Sequence, residues 1–182
     1  MPLIDSNGRN LPDPWILLAD DEATPDNGAV LVSLRRWRSD RERLLGRPAP
    51  VGVLLESNEN PLDIGPELRQ LALIALRFSK FTDGRHYSSA RLLRERYGYA
   101  GELRAVGTVL RDQLLFLKRC GFNTFEIAKA PSGHDLSRAF GELSIAYQPA
   151  AAADRTERTA DLRVSDRTGY QSSKVCAAFW AY

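Results

Sequence analysis

Strand-like runs recur along this chain at a nearly constant step, and that step constrains the fold more than any single motif does. The runs begin near Val30, Val51, Ile74, Leu103, Phe125 and Ile145, at intervals of 21, 23, 29, 22 and 20 residues. Each interval holds one strand, one helix and two tight loops, the length of a βαβ unit. Between the runs the apolar period changes to that of a helix. Leu110, Leu114 and Leu117 follow Thr108 as a cap and stop at Gly121; Leu136, Ala139, Phe140 and Leu143 follow Asp135. "RWRSDRERLLG" reads as a short basic helix capped by Asp40 and ended by Gly46, and "DIGPELRQLA" as one with Pro66 in its first turn. In "SSARLLRERYGY", Ala90, Leu93 and Tyr97 mark the inner face, which turns Arg91, Arg94 and Glu95 outward. The expected class is α/β: consecutive βαβ units in an open, mainly parallel, half-barrel-like sheet of about six strands. That domain covers residues 29–149. Residues 1–28, rich in Pro, Asp and Asn, read as an N-terminal arm or strand around "PWILLAD". Residues 150–182 read as a poorly ordered tail, because 150–175 carry little apolar content and no period.

Three of the expected strands carry a charge at an interior position: Arg77 in "LIALRF", Arg104 in "ELRAVG" and Glu126 in "FEIAK". A parallel sheet covered on both faces has strands that are nearly all apolar. Right-handed crossovers between strands added in sequential order place every helix on one face, leaving the other bare. That face then closes on itself, lines a polar cavity or meets another subunit. A homo-oligomer is the expectation, with Arg104 paired to a partner's Glu126 and the arm or the "AAFWAY" end as the alternative cover. Strand-end positions with heads reaching water explain the same three residues more simply.

The bulk numbers exclude several function classes. The formal charge of the 182 residues is +2, too small for a nucleic-acid-binding chain. No apolar run approaches the roughly 20 residues of a membrane helix, and "MPLIDSNGRN" has no signal-peptide pattern, so the expected location is cytoplasmic. Two cysteines, Cys120 and Cys176, and two histidines, His86 and His134, lack metal-ligand spacing, so no metal and no cofactor is evident. Gly-x-Gly-x-x-Gly, P-loop and Cys-x-x-Cys motifs are absent, and no nucleophile–base spacing marks an enzyme.

Charge is nonetheless concentrated. From Arg77 to Arg119 there are ten Lys or Arg against four Asp or Glu, an excess of six in a chain whose total is +2. Parallel α/β sheets bind ligands beyond the carboxyl ends of their strands. "TDGR" directly follows the third strand, which puts Lys80, Asp83 and Arg85 on that edge. Arg111, Asp112 and Gln113 follow the fourth strand onto the same edge. With Arg104 these form the candidate ligand-contacting set. An oxyanion on a helix N-terminus beside arginines, salt bridges that pin the loops, and a partner surface all fit them.

The stretch "FTDGRHYSSARLLRERYGYAGELRAVGTVLRDQLLFLKRCGF" resembles a bacterial family of unknown function, domain-of-unknown-function family 934. The similarity covers roughly residues 25–148. Asp83, Gly84, Arg85, Ala90, Arg91, Arg94, Gly101, Arg104, Gly107, Arg111, Asp112 and Gln113 match its motif positions. Members are described as oxidoreductases of sulfite reduction, from genes beside the sulfite reductase gene. That description rests on gene neighbourhood, so the resemblance implies a pathway rather than a chemistry. It implies an accessory protein of assimilatory sulfite reduction that binds an oxyanion or a sulfite reductase subunit. The alternative it implies is an oxidoreductase with a bound flavin or nicotinamide.

Overall fold

The computed structural model describes residues 1–127 together with Ala139 and Phe140. The strands are β1 (Leu3–Asp5), β2 (Asn10–Leu11), β3 (Trp15–Leu17), β4 (Ala29–Ser33), β5 (Val51–Leu55), β6 (Leu73–Phe78), β7 (Glu102–Gly107) and β8 (Thr124–Glu126). The helices are α1 (Leu34–Leu45), α2 (Arg85–Glu95) and α3 (Leu114–Cys120). All eight strands join one sheet in the order β2-β1-β8-β7-β6-β5-β4-β3. From β3 to β8 every pairing is parallel and sequential; β1 runs antiparallel to both β8 and β2. The α/β class and open, mostly parallel sheet match the sequence reading, with eight strands rather than about six. Residues 1–28 supply β1, β2 and β3 to this same sheet. The expected strand near Ile145, the tail 150–182, and the helix at 134–143 except for Ala139 and Phe140 lie outside the described residues.

Local detail departs from expectation at the caps. The first helix begins at Leu34, where Ser33 Oγ accepts the Arg36 N–H, and at Asp40 its backbone leaves the helical region (φ −112°, ψ 18°). Asp40 therefore marks a kink inside α1 rather than its start. The "DIGPELRQLA" segment forms two 3-10 turns, Pro61–Ile64 and Pro66–Gln70, since Pro66 interrupts any longer helix. Another 3-10 turn, Arg111–Gln113, precedes α3, so Thr108 does not cap that helix.

Period-2 alternation sorts the strand residues between two layers. Val30, Val32, Val53, Leu55, Ile74, Leu76, Leu103, Ala105 and Phe125 pack against Trp37, Leu44, Leu93, Leu114 and Leu117 of the helices. Leu31, Leu54, Leu73, Ala75 and Val106, with Trp15 against them, form a separate cluster on the helix-free face. Two glycines permit close approaches. A Cβ on Gly52 would sit 3.1 Å from the Trp15 ring, and one on Gly107 would sit 2.6 Å from the Phe78 carbonyl oxygen, at φ +91°.

Chain reach shows how strongly the sheet bends. β2 and β3 hold its two edges, yet only Pro12, Asp13 and Pro14 link them. Four extended residue steps span at most about 14 Å. Eight strands laid flat would hold those edges roughly 34 Å apart. The sheet therefore curls around its helix-free face, with the three-residue link across the opening. Asp13 in that link binds Arg104 Nη1 with both carboxylate oxygens at 3.0 Å.

Candidate functional site

The carboxyl edge is built from the segments that leave β5 and β6. After β6, the Asp83 N–H donates to the Lys80 carbonyl at 3.1 Å, closing a turn that delivers the chain into α2. Gly84 caps α2 without a side-chain acceptor, so Asp83 does that work from outside: its Oδ1 accepts the Arg85 N–H at 3.2 Å. The same carboxylate grips the Arg85 side chain, taking Nε at 2.9 Å and Nη2 at 2.7 Å. This guanidinium holds the Asp83 carboxyl well below the ordinary carboxylate range. Ser57, just past β5, donates from Oγ to the Arg77 carbonyl at 2.7 Å and lies 3.1 Å from Ser79 Oγ, which ties the two loops together.

Between these loops and α2 lies a groove of about 350 Å³, lined by Ser57, Asn58, Glu59, Asn60, Pro61, Arg85, Ser88, Ser89 and Leu92. Ser57 and Ser89 spend their hydroxyl protons on the Arg77 and Arg85 carbonyls, which leaves the Ser88 hydroxyl, the Asn58 and Asn60 amides and the Arg85 guanidinium as its donors. Glu59 on the rim is already engaged, accepting the Glu56 N–H at 2.8 Å.

Of the seven residues singled out in the sequence, the structure joins Asp83 and Arg85 as one clamp and places only Arg85 in the groove lining. Lys80 is exposed on the adjoining loop. Arg111 and Asp112 form an ion pair at 3.6 Å. Gln113 is a connector, since its Oε1 accepts the Leu110 N–H at 3.0 Å and its Nε2 donates to the Tyr87 hydroxyl at 2.9 Å. Arg104 sits on the inner sheet face, buried, with Nε and Nη2 on Glu102 and Nη1 on Asp13. Its partners belong to its own chain rather than to a second copy's Glu126.

The outward assignment of Arg94 is corrected. Arg94 is only 6% exposed and donates to the carbonyls of Gly121, Tyr99 and Gly101. The chain beyond α2 folds back over that side of the helix, which a helical period does not show.

Sequence reading missed Ser57, Ser88, Ser89 and His86. Ser57 carried a usable signal, a hydroxyl directly after the "VGVLLE" strand. His86, the second residue of α2, is buried edge-on against Phe78, and both ring nitrogens lack a hydrogen-bond partner among the described residues. Burial lowers its pKa, so the ring is neutral at pH 7. Cys120 is buried too, and burial pushes its thiol up to about 11, which keeps it protonated. Among the described residues no His, Cys, Asp or Glu side chains cluster as a metal site. None of their helices is long and apolar enough to cross a membrane.

A second concavity of about 350 Å³ occupies the inside of the curl, and residues from all six parallel strands line it. The two concavities lie on opposite sides of the sheet and share no lining residue.

The family model described as a bacterial protein of unknown function, DUF934, matches residues 52–157, more than half of the chain. The protein belongs to that family. No curated protein and no solved structure matches it.

Proposed function

We propose that this DUF934 protein is an accessory of assimilatory sulfite reduction that binds a small oxyanion in the groove between the β5 loop and α2. The observation that carries the reading is the state of Arg85. Asp83 occupies only its Nε and Nη2 edge, so Nη1 has no partner among the described residues, and the side chain lines the groove beside Ser88, Asn58 and Asn60. A clamped guanidinium is held in place before the ligand arrives, and the Ser88 hydroxyl and the Asn58 and Asn60 amides supply neutral contacts, while the Glu59 carboxylate on the rim opposes an anion and lowers its affinity. The start of α2 adds favourable dipole at the same end. Because Asp83 neutralises much of the guanidinium, affinity is modest and suits a ligand that is passed on. The sulfite-reduction setting comes from the resemblance of "DGR…ARLLRERYGY" and its continuation to proteins encoded beside sulfite reductase.

Titrating sulfite, sulfate and phosphate at constant ionic strength while following thermal unfolding tests this. A ligand at 100 times its dissociation constant adds about 2.7 kcal/mol. Stabilisation by sulfite that Arg85→Ala abolishes is the expected result. The absence of any shift at millimolar concentrations of all three ions refutes it. A stoichiometric flavin band at about 450 nm in freshly purified protein would replace the accessory role with an oxidoreductase role.

A further inference from the structure

The hollow inside the curl is independent of the carboxyl-edge groove, and its polar groups are satisfied unequally. One side is apolar: Trp15 and Leu17 of β3, Leu31 of β4 and Leu54 of β5. Leu17 is 53% exposed although it faces this hollow. At the floor, Arg104 is fully engaged by Asp13 and Glu102. Toward the carboxyl end the situation differs. Arg77 gives Nη1 to Glu56 at 2.9 Å, while its Nε and Nη2 have no partner among the described residues. Those two atoms form the edge of a guanidinium that binds a carboxylate with two parallel hydrogen bonds. The Glu126 carboxylate also lacks a partner among the described residues.

Register places these two groups in one row. Arg77 pairs with Val106, and continuing the Arg104↔Thr124 and Ala105↔Phe125 pairs brings Glu126 beside Val106 on its other side. Arg77 and Glu126 are thus two strands apart, roughly 9–10 Å between backbones. Two contacts of about 2.8 Å plus the width of one α-carbon with its amino and carboxyl groups come to roughly 8 Å, the separation that the guanidinium and carboxylate ends of the two side chains take up around such a ligand. We infer that the inner hollow is a binding site for a free α-amino acid with an apolar side chain. Its carboxylate sits on the open edge of Arg77, its ammonium on Glu126, and its side chain against Trp15, Leu17, Leu31 and Leu54.

Charge favours this class over its neighbours. Arg77, Arg104 and the Met1 ammonium face Asp13, Glu56, Glu102 and Glu126, a local balance of −1. A simple anion is repelled by that excess, and a simple amine leaves the Arg77 edge empty. The zwitterion satisfies both groups and leaves the balance unchanged. The volume lies near the low end of the roughly 300–1,000 Å³ of small-molecule sites.

Calorimetric titration with L-leucine and with its two halves, 3-methylbutylamine and 4-methylpentanoate, tests the site. Leucine is expected to bind at least about tenfold more tightly than either half, because each half forfeits one charge-assisted contact. Glu126→Gln is expected to remove the advantage over 4-methylpentanoate, whereas Arg85→Ala on the other concavity leaves it intact. The Glu126 side chain has no partner to lose among the described residues, so the variant is expected to fold, and its melting temperature verifies this. No leucine binding at millimolar concentration, equal affinity for leucine and a half, or an unaltered advantage in Glu126→Gln each overturn the site. None of these outcomes bears on the oxyanion groove.

Discussion

Truncating Arg94 is the sharpest test of how this fold is held together. Its guanidinium reaches the Gly121 carbonyl through Nε and the Tyr99 and Gly101 carbonyls through Nη1, and lies 5.4 Å from the Tyr99 ring centre. One side chain thereby fastens the loop between α2 and β7 to the turn after α3. Arg94→Ala leaves three carbonyls facing a hole at a position only 6% exposed. Each orphaned buried acceptor costs about 1–3 kcal/mol, and water entering the gap recovers part of that. The net loss works out at about 3–5 kcal/mol, a large share of the roughly 5–15 kcal/mol that such a domain has. Arg91→Ala, three residues earlier, removes only a half-exposed ion pair with Glu95 and costs at most about 0.5 kcal/mol. Urea unfolding followed by circular dichroism separates the two. With a slope of about 2 kcal/mol per molar, Arg94→Ala moves the midpoint down by roughly 1.5–2.5 M, while Arg91→Ala leaves it almost unmoved. Equal midpoints for the two variants would refute the assignment of Arg94 as a structural clamp.

Two further expectations follow from buried and exposed groups. His86 has a folded pKa below the ordinary 6.5, so the unfolded chain takes up the proton first; the stability contributed by the neutral ring is complete above pH 6.5 and declines as pH falls below it. Unfolding free energies from pH 7 to pH 5 are expected to fall more steeply in the native protein than in His86→Leu, by at most about 1.4 kcal/mol per pH unit, and parallel curves would refute this. Strand β3 is an open edge with Ile16 and Leu17 about half exposed, so the protein is expected to sediment as a two-fold dimer at micromolar concentration. A 20.3 kDa species would rule out the dimer and leave the N-terminal arm or the "AAFWAY" end as the cover.

The parts of the fold that were legible are those with a repeated signal. Val30, Val51, Ile74, Leu103 and Phe125 all fall inside observed parallel strands, because four consecutive crossover steps of similar length leave a spacing that chance does not. β1 and β2, of three and two residues, are too short for an alternation to register; β1 pairs with β8 more than 110 residues away, and β2 joins the sheet only through β1. The charged positions Arg77, Arg104 and Glu126 were correctly read as sharing a face, since alternation is a local property. Their partners were not legible: Asp13 reaches Arg104 across 91 residues. Arg94 failed for the same reason, its acceptors being the carbonyls of a loop that returns over the helix. At the carboxyl edge, the turn at Asp83 and Gly84 was readable from Asp-Gly chemistry. The groove needed Ser57 from another strand, which nothing near "TDGR" announces.

A charge inside a strand thus has two meanings that only the partners distinguish. The curl of the sheet creates an interior that the helices, all on the outer face, cannot fill. Part of that interior is closed by framework: Trp15 enters the space left by Gly52, and Asp13 in the Pro12–Pro14 link anchors to Arg104. Arg104 is 3% exposed with all three guanidinium nitrogens bonded, so a ligand would gain nothing from it that Asp13 and Glu102 have not already taken. Arg77 and Glu126 stand in the next row up, half-open to solvent, each with bonding capacity that no described residue uses. Folding alone does not require those two charges, since apolar residues in that row would continue the cluster formed by Leu31, Leu54 and Val106. Arg104 belongs to the architecture. Arg77 and Glu126 belong to whatever the hollow holds.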